Sequence, residues 1–153
     1  MSEFSCGENK LYFPPITDVF DGKVVSYRLR RNAQEELATQ SLKEAVATLE
    51  PHESVTLHSD RGCHYRAIEW IELCREARIT RSMSGKGNSG DNAACEGFFG
   101  RMKNEMYHGF RWDKIEELEH AIQIYIKFHN TQKLRAKTGI TIPEYRAKRG
   151  YTI

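Results

Sequence analysis

No apolar run in the sequence approaches the roughly eighteen residues that a membrane-spanning helix requires. The first ten residues, MSEFSCGENK, also lack the basic segment followed by an apolar segment that marks a signal peptide. With 39% hydrophobic and 29% charged residues, the composition is that of a globular protein. These absences predict a cytoplasmic protein that has no membrane among its partners.

Cysteine is sparse and shows no pattern. No pair has the CxxC spacing of a zinc ribbon, and the scattered positions do not suggest a disulfide framework. The four cysteines are Cys6, Cys63, Cys74 and Cys95. An excess of one charge is also lacking, because 23 basic and 21 acidic residues leave a net charge of +2. That value neither requires nor excludes nucleic acid as a partner, since the clustering of charges matters more than their sum.

The chain begins with a predicted hairpin. Two strand-forming stretches, 11–19 and 23–29, flank the turn Asp21-Gly22, and two prolines interrupt the first of them. Asp18 and Asp21 have the positions of turn residues, and we interpret them as such rather than as site residues.

Hydrophobic periodicity predicts seven further elements after the hairpin. They are a helix, a strand, a helix, a strand, two helices and a short helical turn, at 33–49, 54–57, 65–77, 79–83, 93–107, 114–130 and 143–148. In the helix at 65–77 the predicted core residues are Ile68, Trp70, Ile71, Leu73 and Cys74. Residues 84–92, SGKGNSGDN, read as a flexible loop. The order predicts one domain of α/β class with a mixed sheet and helices on its faces.

Two carboxylates lie where functional groups gather in such folds. Asp60 follows the strand predicted at 54–57, at the carboxyl end of the strand. Glu96 lies in the first turn of the helix predicted at 93–107, and thirty-five residues separate it from Asp60. Position alone fits a turn cap at Asp60 as well as a site residue, and a lone Glu96 fits a helix cap better than a ligand.

Carboxylates in this arrangement suit phosphodiester transfer. Two Mg²⁺ ions about 4 Å apart activate an oxygen nucleophile and stabilise the leaving oxygen, and hard oxygen ligands hold them. Lys103 follows Glu96 by seven residues, or two helical turns, and is therefore predicted on the same helix face. Lys103 and Arg101 suit contacts to phosphate, and a solvated helix face is the alternative.

Four stretches together resemble one known family. They are FDGKVVSYRL, HSDRGCHY, SMSGKGNSGDNAACEGFFGRMKNE, and the tail that contains HN and PEYR. The sequence resembles the integrase core of the DDE transposase and retroviral integrase superfamily, in particular the second-reading-frame product of bacterial insertion sequences. The resemblance covers nearly the whole chain, residues 1–153, and its strongest feature is the spacing of Asp60, Glu96 and Lys103.

The resemblance implies a ribonuclease H-like fold, with a central mixed sheet of about five strands flanked by helices. It implies dependence on Mg²⁺ or Mn²⁺ and the cleavage and joining of DNA strands. Asp60 and Glu96 correspond to catalytic, metal-binding residues. The implied DNA-binding residues are Lys103, Arg101, Lys86 and Asn88, and His58, Ser89 and Asn92 match other positions that line the active site.

The partners implied by the resemblance are DNA, as transposon ends and target, and further copies of the chain in a nucleoprotein complex. We expect a bacterial protein that associates with the nucleoid when it is bound to DNA. Residues 131–153 form a basic tail that predicts weak binding to DNA without sequence preference. Its cations are Lys133, Arg135, Lys137, Arg146, Lys148 and Arg149.

The chain departs from the family pattern at its first strand. The pattern T-D-x-[ST]-E-F carries the first catalytic aspartate, and alignment on Ser2, Glu3 and Phe4 places that aspartate immediately before Met1. The upstream helical DNA-binding region of the family is also absent. We therefore expect a truncated transposase with impaired strand transfer. The alternatives are a non-catalytic DNA-binding remnant and a structure-specific nuclease of the same fold.

Overall fold

The strands and helices follow one another along the chain in nearly the order that the sequence predicts. The structure, a computed structural model, describes residues 1–32, 36–60, 62–83 and 93–151. The strands are β1 (Ser2–Cys6), β2 (Asn9–Phe13), β3 (Ile16–Thr17), β4 (Val24–Ser26), β5 (Thr56–Ser59) and β6 (Thr80–Met83). The helices are α1 (Glu36–Val46), α2 (Ile68–Glu76), α3 (Ala93–Met102), α4 (Ile115–Thr131) and α5 (Ile142–Ala147), with a 3-10 turn at Cys63–Arg66 and a π-helical turn at Lys103–Tyr107.

The six strands form three separate pairs. β1 with β2 and β3 with β4 are antiparallel, whereas β5 with β6 is parallel. The family resemblance predicts a single sheet of about five strands. In the part of the chain that the structure describes, the strands do not form such a sheet. Pro14 and Pro15 separate β2 from β3 and donate no backbone hydrogen bond. One bridge, between Tyr12 and Arg30 with N···O distances of 2.7 and 3.2 Å, joins β2 to the chain after β4.

β1 is a strand that the hydrophobic pattern does not predict, because only two of its five residues are apolar. Those two, Phe4 and Cys6, alternate with polar residues and are buried. Gly7, with a φ of 58°, occupies the turn to β2 and adopts a backbone conformation that other residues rarely take. A turn at Gly7 therefore joins β1 to β2, and β1 lies before the first strand that the pattern predicts.

The larger hydrophobic core lies between the β1–β2 hairpin, α3 and α4. Each buried aromatic or aliphatic side chain in it contributes about 1.5–3 kcal/mol to the free energy of unfolding. Its fully or almost fully buried members include Phe4, Leu11, Phe13, Phe98, Met102, Leu118 and Ile122. This core fixes α3 relative to the hairpin.

α4 has the two-faced character that the sequence predicts for it. One face is buried and consists of Ile115, Leu118, Ile122, Tyr125 and Ile126. The other face carries exposed polar and charged residues. No helix in the described ranges combines the length and the apolar character that crossing a membrane would need.

A second core packs α1 and α2 together with Ile79, the residue before β6, and it corrects part of the predicted α2 face. Trp70 and Cys74 are buried as predicted, and they lie four residues apart on one helix face. Ile68 and Ile71 are 74% and 37% exposed. At about 100° per residue, Ile68 lies 200° before Trp70 around the helix axis and Ile71 lies 100° after it. The face of α2 that carries Trp70 and Cys74 packs against α1, and it therefore does not include these two isoleucines.

The hairpin turn before β4 is held by its own aspartates and by α5. The Oδ1 atoms of Asp18 and Asp21 accept from the N–H groups of Phe20 and Lys23 at 2.9 and 2.8 Å, which confirms that both are turn residues. Their Oδ2 atoms pair with Arg146, at 2.7 Å from Asp18. The turn therefore forms ion pairs with Arg146, a residue more than a hundred positions away in the sequence.

Most cations of the predicted basic tail take part in the fold. Lys133 pairs with Glu105, and Arg146 pairs with the hairpin turn. The guanidinium groups of Arg135 and Arg149 lie 3.8 and 4.9 Å from the ring centre of Tyr145. These contacts give four of the six tail cations a role in the fold, and DNA binding by the tail stays a prediction. Of its six cations, Lys137 and Lys148 are the exposed ones for which no such contact is seen in the described part of the chain.

Replacing Arg146 with Met should destabilise the fold by about 2–4 kcal/mol, because the buried carboxylate of Asp21 would lose its cation. Urea unfolding followed by circular dichroism measures the change. Lys148→Met, at an exposed position of the same segment, is the matched control and should change the unfolding free energy by less than about 0.5 kcal/mol. Equal effects of the two substitutions would show that the ion pairs of Arg146 with the hairpin turn do not stabilise the fold.

His129 should make the stability depend on pH between about 5 and 7. Burial lowers the pKa of His129, and the nearby Lys133 and Arg101 lower it further, against opposing effects of the Gly22 carbonyl and Glu105. The unfolded chain, in which the histidine pKa is about 6.5, therefore takes up the proton first. The contribution is complete above about pH 6.5 and is lost as the pH falls toward the lowered pKa.

The measurement is the unfolding free energy at a series of pH values for the wild type and His129→Gln. The unfolding free energy of the variant should change less between pH 7 and pH 5, because the glutamine at position 129 cannot take up a proton. His120→Gln, at an exposed position of α4, should keep the wild-type slope. A wild-type slope in both variants would show that His129 is not the group responsible.

Candidate active site

Asp60 lies directly after β5, at the end of the parallel pair formed with β6. The strand begins two residues later than the sequence predicts, so that His58 and Ser59 belong to it and Asp60 closes it. Nδ1 of His58 lies 2.9 Å from Oγ of Ser82 and ties β5 to β6 at this end. Oδ1 of Asp60 accepts a 2.7 Å hydrogen bond from the N–H of Gly62. The position at a strand end is as predicted, and the carboxylate is held by the turn that follows.

Glu96 lies in the first turn of α3, where a carboxylate interacts favourably with the helix dipole. Its side chain is exposed. Two residues on the buried face of the same helix, Phe98 and Met102, are 4% and 0% exposed. Their burial sets the rotation of α3 and leaves Glu96 outside the core.

The charges of both carboxylates affect the thiol of Cys95. Burial raises its pKa, and the charges of Asp60 and Glu96 raise it further, while the amino group of Met1 works in the opposite direction. Burial also raises the pKa of Tyr65, and Asp60 adds to that rise. Glu96 is the sequence neighbour of Cys95, so the influence of Asp60 on the same thiol relates the end of β5 to the start of α3.

The donor chemistry of this site fits a hard divalent cation. Asp60 and Glu96 offer oxygen ligands, which Mg²⁺ and Mn²⁺ prefer. Within the described ranges, no group of three or more His, Cys, Asp and Glu side chains is placed to hold a metal. Among the described residues, Asp60 and Glu96 would therefore supply only part of the ligands that such a cation needs.

Lys103 and Arg101 follow Glu96 along the same helical segment. Arg101 is exposed near the end of α3, and Lys103 opens the π-helical turn that continues it. The Nζ of Lys103 lies 5.2 Å from the ring centre of Phe4 on β1. Turns of this kind are rare and frequently occur at functional sites. The predicted contacts Lys86, Asn88, Ser89 and Asn92 lie outside the described residues.

Sequence reasoning overlooks three residues around Asp60: Gly62, Tyr65 and Cys95. All three lie inside the stretches that carry the family resemblance, HSDRGCHY and NAACEGFF. A glycine two residues after a carboxylate is the signal that was available for Gly62. Nothing in the sequence alone relates Cys95 to Asp60, because the relation depends on the packing of α3.

Comparison with known proteins decides the family. The integrase core domain family matches residues 2–89, which is more than half of the chain, and a second integrase core domain family matches residues 96–149. The chain belongs to the integrase core family. This confirms the interpretation of the sequence as a catalytic core of the DDE transposase and integrase type.

Two transposase relatives are similar to this integrase core. It is 41% identical over 149 residues to an uncharacterized transposase-like protein of Haemophilus influenzae, covering 97% of this chain and 68% of that protein. It is 42% identical over 149 residues to the probable transposase for insertion sequence element IS1353 of Shigella flexneri, covering 95% of this chain and 29% of that protein. The chain thus spans only part of the length of either relative.

The fold of the integrase core is that of retroviral integrases. The structure of the HTLV-2 integrase catalytic core domain in complex with magnesium, in its trimeric form, matches with a TM-score of 0.67 and 16% identity. The match covers 94% of this chain and 89% of that chain. The α/β class and the ribonuclease H-like fold are therefore confirmed, although the described strands form separate pairs.

Asp60→Asn should lower the pKa of Cys95, because it removes a negative charge that disfavours the thiolate. The pH dependence of iodoacetamide alkylation, followed by mass spectrometry of the peptide that contains Cys95, measures this pKa. Glu76→Gln is the control, since Glu76 lies on α2 and is not among the charges that act on Cys95. An unchanged Cys95 pKa in Asp60→Asn would show that the charge of Asp60 does not act on Cys95 at the start of α3.

Proposed function

We propose that this integrase core acts in DNA transposition by metal-dependent phosphoryl transfer, cleaving and joining DNA strands. The observation that carries the proposal is the placement of Asp60 directly after β5, where the N–H of Gly62 holds its Oδ1, and of Glu96 in the first turn of α3. These two carboxylates come from the end of a strand and the start of a helix in a chain of the integrase core family. The match to transposases of insertion sequences supports DNA transposition as the process.

Asp60 and Glu96 are the proposed catalytic residues and the proposed ligands of Mg²⁺ or Mn²⁺. A bound divalent ion would activate the oxygen nucleophile and stabilise the leaving oxygen. Asp60 contributes a carboxylate whose Oδ1 is already oriented by the N–H of Gly62. Glu96 contributes an exposed carboxylate on a helix whose rotation is set by its buried face. The magnesium in the HTLV-2 integrase core supports the choice of a hard divalent cation.

The proposed DNA contacts are Lys103, Arg101, Lys86 and Asn88. Arg101 is exposed, and its planar guanidinium suits a bidentate contact with phosphate. Lys103 is half-buried over Phe4 and offers a single positive charge close to β1. The proposed partners are transposon ends and target DNA, bound by more than one copy of the chain. Because most of the tail cations are engaged in the fold, α3 and its continuation become the main candidate surface for DNA.

Arg101→Ala should weaken DNA binding and lower the slope of log K against log salt by about 1, as expected for the loss of one phosphate contact. Fluorescence anisotropy with a random-sequence duplex at 50–200 mM salt gives both values. Lys127→Ala removes an exposed cation from α4 and serves as the control. If both variants keep the wild-type slope, α3 does not form the DNA-binding surface.

Asp60→Asn and Glu96→Gln should each abolish Mn²⁺ binding or weaken it strongly, because each removes a charged oxygen ligand. Electron paramagnetic resonance of free Mn²⁺ measures binding without DNA. Where strand transfer is measured on oligonucleotides with the ends of the element, each substitution should reduce the rate on the order of a hundred- to a thousandfold.

The same assays separate the alternatives. Salt-dependent DNA binding without strand cleavage, in either Mg²⁺ or Mn²⁺, would favour a non-catalytic DNA-binding protein. Cleavage of branched DNA without joining would favour a structure-specific nuclease. Unchanged Mn²⁺ binding in both carboxylate variants would overturn the proposed ligand pair.

A further inference from the structure

Gly62 lies two residues after Asp60 in a conformation that does not require glycine. Its φ of −54° and ψ of 146° are in the extended region that any L-residue adopts. The glycines at the turns of this chain differ in this respect, since Gly7 and Gly22 have φ values of 58° and 85°. The reason for a glycine at position 62 must therefore lie in the space around it.

A Cβ atom at position 62 would meet the carboxylate of Asp60. With ideal geometry, it would lie 2.9 Å from Oδ1 of Asp60, closer than real Cβ contacts come. Its next neighbours would be Cδ2 and Cε2 of Tyr65 at 3.5 and 3.6 Å, which are ordinary van der Waals distances. The conflict is thus with the carboxylate alone, and the N–H of the same residue is the donor that holds this oxygen at 2.7 Å.

The turn that contains Gly62 has little freedom to move away from Asp60. The N–H of Tyr65 donates to the carbonyl of Gly62 at 3.1 Å and closes the 3-10 turn. The ring of Tyr65 packs edge-on against Trp70, with ring centres 5.0 Å apart, and Trp70 is 3% exposed in the second core. A Cβ at position 62 would therefore displace the side chain of Asp60 rather than the turn.

We propose that Gly62 is a positioning residue for Asp60. Its N–H orients Oδ1, and the absence of a side chain leaves the carboxylate the orientation in which it binds the divalent cation. This inference rests on the proposed function of Asp60 as a metal ligand. Residues that orient a ligand lower the cost of ordering it when the metal binds, and their loss typically weakens metal affinity 10–100-fold.

The test compares Gly62→Ala with Gly100→Ala in the full chain. Gly100 lies in α3, and a Cβ atom added there would have nothing within 4 Å, so it reports the general effect of a glycine-to-alanine change. Mn²⁺ binding is measured by electron paramagnetic resonance without DNA, and stability by urea unfolding. Gly62→Ala should keep or slightly raise the unfolding midpoint, because alanine restricts the unfolded chain, and should raise the Kd for Mn²⁺ about 10–100-fold.

Gly100→Ala should leave the Kd for Mn²⁺ unchanged. Where strand transfer is measured, raising the Mn²⁺ concentration should restore the rate of Gly62→Ala but not that of Asp60→Asn, an effect that a purely structural role would not produce. A wild-type Kd in Gly62→Ala overturns the inference, and so does a loss of folding, because the backbone conformation accepts alanine. If the wild type and Asp60→Asn bind Mn²⁺ equally, the proposed function fails instead.

Discussion

The burial of one face of α3 against the hairpin and α4 is the interaction on which the rest of the structure depends. Phe98 and Met102 enter the same core as Phe13 and Ile122, and their burial removes large apolar surfaces from water. A helix anchored along one face cannot rotate without exposing that face. Glu96 thereby receives a fixed position outside the core, and the start of the helix is held near the end of β5.

The positive charge of the chain is divided between folding and the proposed contact with DNA. Arg146 and Lys133 neutralise acidic groups of distant elements, and Arg135 and Arg149 lie against Tyr145. These cations hold the carboxyl-terminal segment in place and contribute less to the field that DNA would experience. With a net charge of +2, attraction to DNA has to come from a local group of cations such as that at the end of α3.

The candidate site combines two carboxylates with groups that limit what they can do. Asp60 is held by the N–H of Gly62, and burial together with the charges of the two acids raises the pKa of the Cys95 thiol. Each carboxylate carries a negative charge, and a divalent cation is a partner that would offset both. In the proposed function, the backbone N–H of Gly62 therefore orients a carboxylate, and the side chains of Asp60 and Glu96 supply the negative charge.

The sequence by itself determined most of the local elements, and it predicted the two carboxylates that are proposed as the centre of the site. A 3.6-residue period predicts α4, a short apolar run predicts the strand before Asp60, and the stretch around Glu96 predicts α3, since each of these depends on near neighbours. It did not determine that Ile68 faces solvent, because which side of α2 is covered depends on where α1 packs.

Only the tertiary structure decided which distant groups meet. The pairing of Arg146 with the hairpin turn and the influence of Asp60 on Cys95 relate parts of the chain that lie far apart in the sequence. The physical reason is that such contacts form when burial of the two cores fixes the elements relative to one another. No local pattern of residues encodes that arrangement.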